Sequence, residues 1–197
     1  LVGLAIGSTL AALRLGFYIG SPESISQTND AVVHLNFLHW IEVTGSASPF
    51  DLTGMLDSTA FYPGAWHALA SAAAALTGGS VPVVVNALSI VIGALVWPLG
   101  IAFLTQSATK GAALPTAIAA AIAPALLAFP LLLIQWGVLY PYLLAVAMLP
   151  AATALIVLAP RALARPTVEP LRSAVPSQWS TGAWLLLLAV ISLAALA

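Results

Sequence analysis

The sequence predicts an all-α protein, a polytopic bundle of about five transmembrane helices with a helical extracytoplasmic loop after the first span. Three observations lead to this prediction: 61% of the 197 residues are hydrophobic, 6% are charged, and residues 81–106 contain no charged side chain. A soluble domain carries roughly 25% charged residues. A helical apolar run of this length spans a hydrocarbon core about 30 Å thick. We therefore expect the chain to cross a membrane several times.

Five apolar segments are expected to be spans: residues 1–20, 81–105, 112–129, 139–159 and 181–197. Because the chain begins and ends inside apolar runs, we expect one transmembrane domain, residues 1–197, truncated at both ends. Pro124 and Pro130 are expected to shorten or kink the third span. Residues 130–137 are too few to cross alone, so they form either a re-entrant piece or an extension of that span.

The basic residues are unevenly distributed and predict the orientation. Four of the five follow the second and fourth spans: Lys110, Arg161, Arg165 and Arg172. Residues 21–80 contain five of the six acids and no Lys or Arg. The positive-inside rule predicts a multi-pass cell-membrane protein with loops 106–111 and 160–180 cytoplasmic and loop 21–80 extracytoplasmic. The fifth basic residue, Arg14, lies near the outer end of the first span, where it would snorkel or face a polar cavity.

The long loop is expected to fold as two helices. Thr28 or Asn29 suits the N-cap of a helix over residues 31–44. A second helix over residues 63–76 is expected to have Pro63 in its first turn and to end before two glycines. The apolar residues of the first helix at helical spacing are Val33, Phe37, Trp40 and Ile41.

A carboxylate and an imidazole stand at i and i+4 on the first loop helix. Asp30 and His34 are therefore expected to share a helix face, whereas His39 points the other way. Such a pair binds a divalent cation, or acts as a base and its orienting partner. Alternatively, Asp30 only stabilises the helix dipole, by about 0.3–1 kcal/mol. The absence of any Lys or Arg in the loop favours a functional role, because an unpaired acid at a membrane boundary is costly.

A second cluster begins the second loop helix. Tyr62 and Trp66 at i and i+4 fit either an interfacial aromatic belt or a binding site. His67 either bonds a carbonyl or takes part in a site. The other loop acids, Glu42, Asp51 and Asp57, are expected to be solvated. Three amides in or beside spans are expected to join helices: Asn86, Gln106 and Gln135.

Composition and motifs exclude several functions. The net charge of −1 gives no bulk electrostatic basis for nucleic-acid binding. Because the chain has no cysteine, disulfides, thiolate zinc sites and cysteine nucleophiles are excluded. No Walker loop, HExxH or GxSxG motif is present, so soluble-nucleotide chemistry has no support.

The run QTNDAVVH and the loop over residues 21–80 resemble the GT-C superfamily of polytopic glycosyltransferases, which carry an acid at the start of this loop. The string FYPGAWHAL resembles a group of integral membrane proteins from high-G+C Gram-positive bacteria. The resemblance covers residues 1–106 well and the remainder only by hydropathy. Many GT-C enzymes have a paired acid here, but Asn29-Asp30 supplies one carboxylate, leaving the second to Asp51, Asp57 or a residue beyond this sequence.

The resemblance implies an extracytoplasmic glycosyltransferase that uses a polyprenyl-phosphate-linked sugar for cell-envelope glycan or glycoconjugate synthesis. Its partners would be this lipid donor and a glycan or lipid acceptor. Asp30 would be the catalytic base, with His34 beside it. The resemblance leaves open whether a divalent metal ion also binds, with Asp30 as its candidate ligand. The residues expected to bind substrate are Arg14, Gln27, Asn29, Tyr62, Trp66 and His67.

Two other classes of function remain open from the sequence. A transporter or permease fragment would place ionisable residues within spans, where this chain has only Arg14. A non-catalytic membrane assembly subunit would leave Asp30, His34 and His67 scattered in the fold. Whether these three side chains converge is the observation that separates this last reading from an enzyme.

Overall fold

The computed structural model describes residues 1–163, with side chains to residue 159, and this part is 77% helix without a strand. The all-α prediction is confirmed. Four helices are long and apolar enough to span a membrane: α1 (Val2–Ile19), α4 (Val81–Ala108), α5 (Ala113–Gln135) and α6 (Tyr140–Leu163), whose apolar stretch is Tyr140–Ala159. Two shorter helices, α2 (Asn29–Thr44) and α3 (Ala65–Thr77), lie between α1 and α4. The expected fifth span, residues 181–197, lies outside the described residues.

The four apolar helices pack as one bundle. α1 lies against α5, and the second half of α4 lies against α6. Gly3 and Gly7 make the first contact possible, since a Cβ on either would overlap the backbone carbonyl of Ala117 or Ala120. Small residues allow this close approach of helices within a membrane, where packing rather than hydrophobic burial drives association.

The third span is kinked, as expected, and the bundle pairs the carbonyl groups near the break. Leu126 is extended, with ψ of 136°, which interrupts the helical hydrogen bonds. Trp97 Nε1 donates to the carbonyl of Ala123 at 3.1 Å, and Arg14 Nη1 donates to the carbonyl of Ala125 at 3.3 Å. Backbone groups at membrane depth need such partners because lipid supplies none. Arg14 therefore has a local structural partner within the bundle.

Of the two options for residues 130–137, the structure shows an extension of the third span. Helical turns resume over Leu127–Leu132 and continue to Gln135. Phe129 has non-helical angles, so Pro130 stands at the start of a new turn, where its missing N–H is tolerated. The expected end of this span at residue 129 was therefore six residues too early.

Both loop helices are present close to their expected positions. α2 begins where Thr28 Oγ1 accepts a hydrogen bond from the amide of Ala31 at 3.2 Å, and it ends at Gly45 in the left-handed conformation. α3 begins at Ala65 because Gly64 is its N-cap. Pro63 thus precedes the helix instead of lying in its first turn. We call the end of the bundle that carries residues 20–80 the loop face.

The buried face of α2 differs from the one expected. Phe37 and Ile41 are buried as predicted, but Val33 is 37% exposed and lies off the face. The buried side chains are Ala31, His34, Phe37, Leu38 and Ile41. His34 occupies the centre of this face, a position that an apolar pattern cannot assign to a polar residue.

Candidate functional site

Two histidines from different helices form the centre of the site. His34 of α2 and His67 of α3 are 4% and 0% exposed, and His34 Nδ1 lies 3.0 Å from His67 Nε2. The packing of α2 against α3 brings the two rings together. One nitrogen donates and the other accepts, so the two imidazoles form a direct hydrogen bond in the protein interior.

Aromatic rings enclose the histidine pair. Trp66 and Tyr140 stack with ring centroids 4.6 Å apart and an interplanar angle of 6°. Tyr140 also contacts His34, with centroids 5.4 Å apart. On the other side, Phe37 and Tyr62 pack at 4.8 Å and both contact the second histidine. These rings cover most of the surface of the two imidazoles.

Burial keeps both histidines uncharged near neutral pH. It lowers the pKa of His34 to about 4, against the opposing effect of the Asp30 charge. Burial first, and the charge of His34 second, lower the pKa of His67 to about 3, whereas the carbonyl of Pro63 opposes the shift. His67 Nδ1 nevertheless completes no hydrogen bond within the described residues.

Asp30 lies at the solvent edge of this cluster. It is exposed in the first turn of α2, where the helix dipole favours negative charge. Its Oδ2 is 3.8 Å from the point where a Cβ on Gly137 would stand, so the turn before α6 passes directly against it. Burial, and then the Asp30 charge, raise the pKa of Tyr62, which places this phenol within reach of the carboxylate's field.

No basic residue neutralises Asp30 in the described part of the chain. The ion pair found there joins His39 and Glu42, two exposed side chains 3.4 Å apart on the other face of α2. The expectation that His39 lies apart from the site is confirmed. Asp51, which accepts a hydrogen bond from Ser46 Oγ at 2.6 Å, is exposed, as are Glu42 and Asp57.

Comparison with known proteins gives a family. A model described as a family of unknown function, DUF6541, matches residues 1–197. The chain belongs to this family. No curated protein and no solved structure matches it. Nothing in the family match connects the chain with GT-C glycosyltransferases, so that resemblance stays a prediction.

In this DUF6541 chain, five of the predicted site residues come together. They are Asp30, His34, Tyr62, Trp66 and His67. Trp66 and His67 have no exposed surface, so of the two alternatives for Trp66 the interfacial aromatic belt does not apply. The predicted contact of these two side chains with a substrate stays a prediction, and in the structure they contact His34 and Tyr62.

The other three predicted residues lie apart from the pair. Arg14 is bonded to a carbonyl of α5, as described above. Gln27 is exposed and lines a neighbouring cavity, with Nε2 donating to the carbonyl of Ile25 at 3.0 Å. Asn29 is exposed beside Asp30. Their predicted roles in substrate binding stay predictions.

The described residues do not form a protein metal site. Within residues 1–159, no three His, Asp or Glu side chains converge on a common point. Asp30 and His34 alone supply two donor groups, and Nδ1 of His34 is already bonded to His67. The described residues thus offer a metal ion at most two protein ligands at this site.

Sequence reasoning missed the contribution of α6. Tyr140 closes the aromatic enclosure, and Gly137, with φ of +95°, permits the turn that lies against Asp30. Both belong to a segment that reads as ordinary span and turn. The one available signal was the pair of tyrosines around Pro141, which begins three residues after Gly137, at a span start that faces the loop.

Proposed function

We propose that the protein is a membrane-embedded glycosyltransferase that takes a sugar from a polyprenyl phosphate and acts at the loop face. The observation that carries the proposal is the exposed carboxylate of Asp30, which has no basic partner in the described chain and lies beside a buried imidazole pair. A carboxylate placed in this way is suited to accept a proton from a hydroxyl group.

Sugar transfer from a lipid phosphate requires few catalytic groups besides a base. The acceptor oxygen attacks the anomeric carbon, the bond from that carbon to the phosphate oxygen breaks, and polyprenyl phosphate leaves with the electron pair. The proton of the acceptor hydroxyl passes to Asp30. Because phosphate is a good leaving group, the main tasks are to remove this proton and to align the reactants.

His34 is the orienting partner in this scheme. Its Nδ1 is held by His67, and its Nε2 makes no hydrogen bond within the described residues, so Nε2 is the ring atom left for the acceptor hydroxyl. The lowered pKa of His34, about 4, keeps this nitrogen uncharged at pH 7. The histidines therefore contribute hydrogen bonding and position in this scheme, and not positive charge.

The bundle suits a lipid donor. Near the loop face, α1 presents large apolar side chains such as Leu13 and Phe17 to its surroundings. A prenyl chain lying in the membrane beside them would bring its phosphate to the level of Asp30. The site lies at the boundary where a lipid phosphate and a water-borne acceptor meet.

We further propose that the loop face is extracytoplasmic and that the protein is a multi-pass cell-membrane protein. Lys110 lies in the short connection between α4 and α5, at the other end of the spans from the loop helices. Loops 106–111 and 160–180 are then cytoplasmic by the positive-inside rule. This orientation suits synthesis of a cell-envelope glycan or glycoconjugate.

The test is Asp30→Asn in the intact protein, assayed in liposomes with radiolabelled polyprenyl-phosphate monosaccharides and membrane glycan acceptors. The amide is nearly isosteric but does not accept the proton, so we expect transfer to fall by about 10²–10⁴-fold. The matched control is Asp57→Asn, an exposed loop acid at φ of 54° that asparagine also tolerates.

Transfer at wild-type rate by Asp30→Asn would show that Asp30 is not the base. Equal losses in both variants would point to general damage of the loop. If the wild type transfers sugar from none of these donors, the glycosyltransferase proposal fails.

A further inference from the structure

A cavity of about 220 Å³ lies at the loop face next to the histidine pair. It is bounded by the end of α1, residues 24–27, α4 and the segment that leads from α5 into α6. Three isoleucines form its apolar wall, and none of the described residues that line it is charged. Its polar lining residues are Tyr18, Ser24, Ser26, Gln27, Asn86 and Tyr140.

Tyr140 links the cavity to the histidine pair. The side chain is 5% exposed, and its ring lies against Trp66 and His34. Within the described residues its hydroxyl makes no hydrogen bond, although the residue lines the cavity. The hydroxyl is therefore available to hydrogen-bond a ligand that enters the cavity.

The amides of the cavity are oriented by the backbone. Asn86 Nδ2 donates to the carbonyls of Pro22 and Ser24, at 2.9 and 2.8 Å. Gln27 Nε2 donates to the carbonyl of Ile25. Since carbonyl groups only accept, both amide nitrogens are assigned to them, and both amide oxygens remain as acceptors. The lining of the cavity thus combines two amide side chains that the backbone holds in place with two tyrosines.

We propose that this cavity binds a single uncharged sugar ring. This inference rests on the proposed function, because the cavity would be the subsite for the transferred or the accepting sugar. Hydroxyl and amide groups match the alternating donors and acceptors of a sugar, and the isoleucines match its C–H surfaces. A charged sugar would lose its hydration without gaining an opposite charge. The volume is below the roughly 300–1,000 Å³ of sites for drug-sized ligands, which favours one ring over an oligosaccharide.

Saturation-transfer NMR on the intact protein in nanodiscs of sugar-free phospholipids tests the proposal. The probes are the methyl glycosides of glucose, mannose and galactose, with glucuronate as the charged counterpart. We expect at least one neutral glycoside to bind and glucuronate to bind at least about tenfold more weakly.

Tyr140→Phe removes only the hydroxyl, and we expect it to weaken glycoside binding by about tenfold, the equivalent of one hydrogen bond. Tyr142→Phe is the matched control, because Tyr142 is 57% exposed on the same helix and does not line the cavity. We expect this control to bind within twofold of the wild type.

Absence of binding by every neutral glycoside, equal binding by glucuronate, or unchanged affinity in Tyr140→Phe would each overturn the inference. Asp30→Asn separates this outcome from failure of the proposed function, since it should keep glycoside binding and lose transfer. Sugar transfer without glycoside binding would refute only the proposal that the cavity binds a sugar. Glycoside binding without any sugar transfer would refute only the proposed glycosyltransferase activity.

Discussion

Acidification should destabilise the protein through its buried histidine pair. The ordinary pKa of His34 is 6.5, and burial lowers it to about 4 in the folded protein. Between these values the unfolded chain binds a proton that the folded protein does not bind. The stabilising contribution is therefore fully present above pH 6.5 and is lost as the pH falls toward 4. His67 shifts in the same direction.

The size of the effect follows from the shift. Each pH unit within this window costs about 1.4 kcal/mol for each histidine. At pH 5 the loss from His34 is about 2 kcal/mol relative to pH 7, and His67 adds up to about as much again, so both rings together lose about 2–4 kcal/mol. A change of 1 kcal/mol moves the melting temperature of a domain of 150–250 residues by about 2–4 °C. We therefore expect a decrease of at least about 4 °C.

Thermal unfolding in nanodiscs at pH 7, 6 and 5, followed by tryptophan fluorescence, measures the decrease. Two variants assign it to a residue. His67→Gln removes one of the buried imidazoles and should reduce the pH dependence by about half. His39→Gln is the control, because His39 lies exposed beside Glu42 and should leave the pH dependence unchanged.

A melting temperature in the wild type that is unchanged between pH 7 and pH 5 would refute the reasoning. It would mean that the folded protein accepts a proton on the pair as readily as the unfolded chain does. Equal pH dependence in His67→Gln and His39→Gln would refute the assignment to the pair, because some other group would then be responsible.

Two further predictions concern the bundle. In intact cells, an impermeant thiol reagent should label a cysteine introduced at Ser46 but not one introduced at Ala112. Labelling at Ala112 alone would show that the orientation is the reverse of the one proposed. Gly7→Ala should lower stability by about 1–3 kcal/mol, because its Cβ would overlap a backbone carbonyl of α5. Gly16→Ala on the same helix meets nothing within 4 Å and should be neutral or stabilising, so similar melting temperatures for the two would contradict the packing of α1.

Much of the fold was predictable because the relevant signals are local. A long apolar run has one low-energy structure in lipid, the helix, so the positions of four spans follow from composition and length. The ends of α2 followed from Thr28 and Gly45, whose side-chain and backbone preferences act within one turn. The end of α5 was misjudged because the effect of Pro130 depends on the break before it.

The candidate site was predictable only in part. Asp30 and His34 share a helix face by spacing alone, and the structure confirms that they are neighbours. His67 was a candidate without a known partner. The hydrogen bond between the histidines joins residues 33 positions apart, and it depends on how α2 packs against α3. Helical periodicity within one segment carries no information about that packing.

The sequence by itself determined the membrane class, the helical loop and the acid at its start, because hydropathy, capping and charge act over a few residues. Only the tertiary structure decided that His34 is buried and uncharged, that Tyr140 closes the enclosure, and that Arg14 bonds to the backbone. Each of these depends on how segments distant in sequence pack against each other. The burial and the hydrogen-bond partners of a polar side chain set its chemistry, and this tertiary packing determines both. The local sequence pattern does not contain that information.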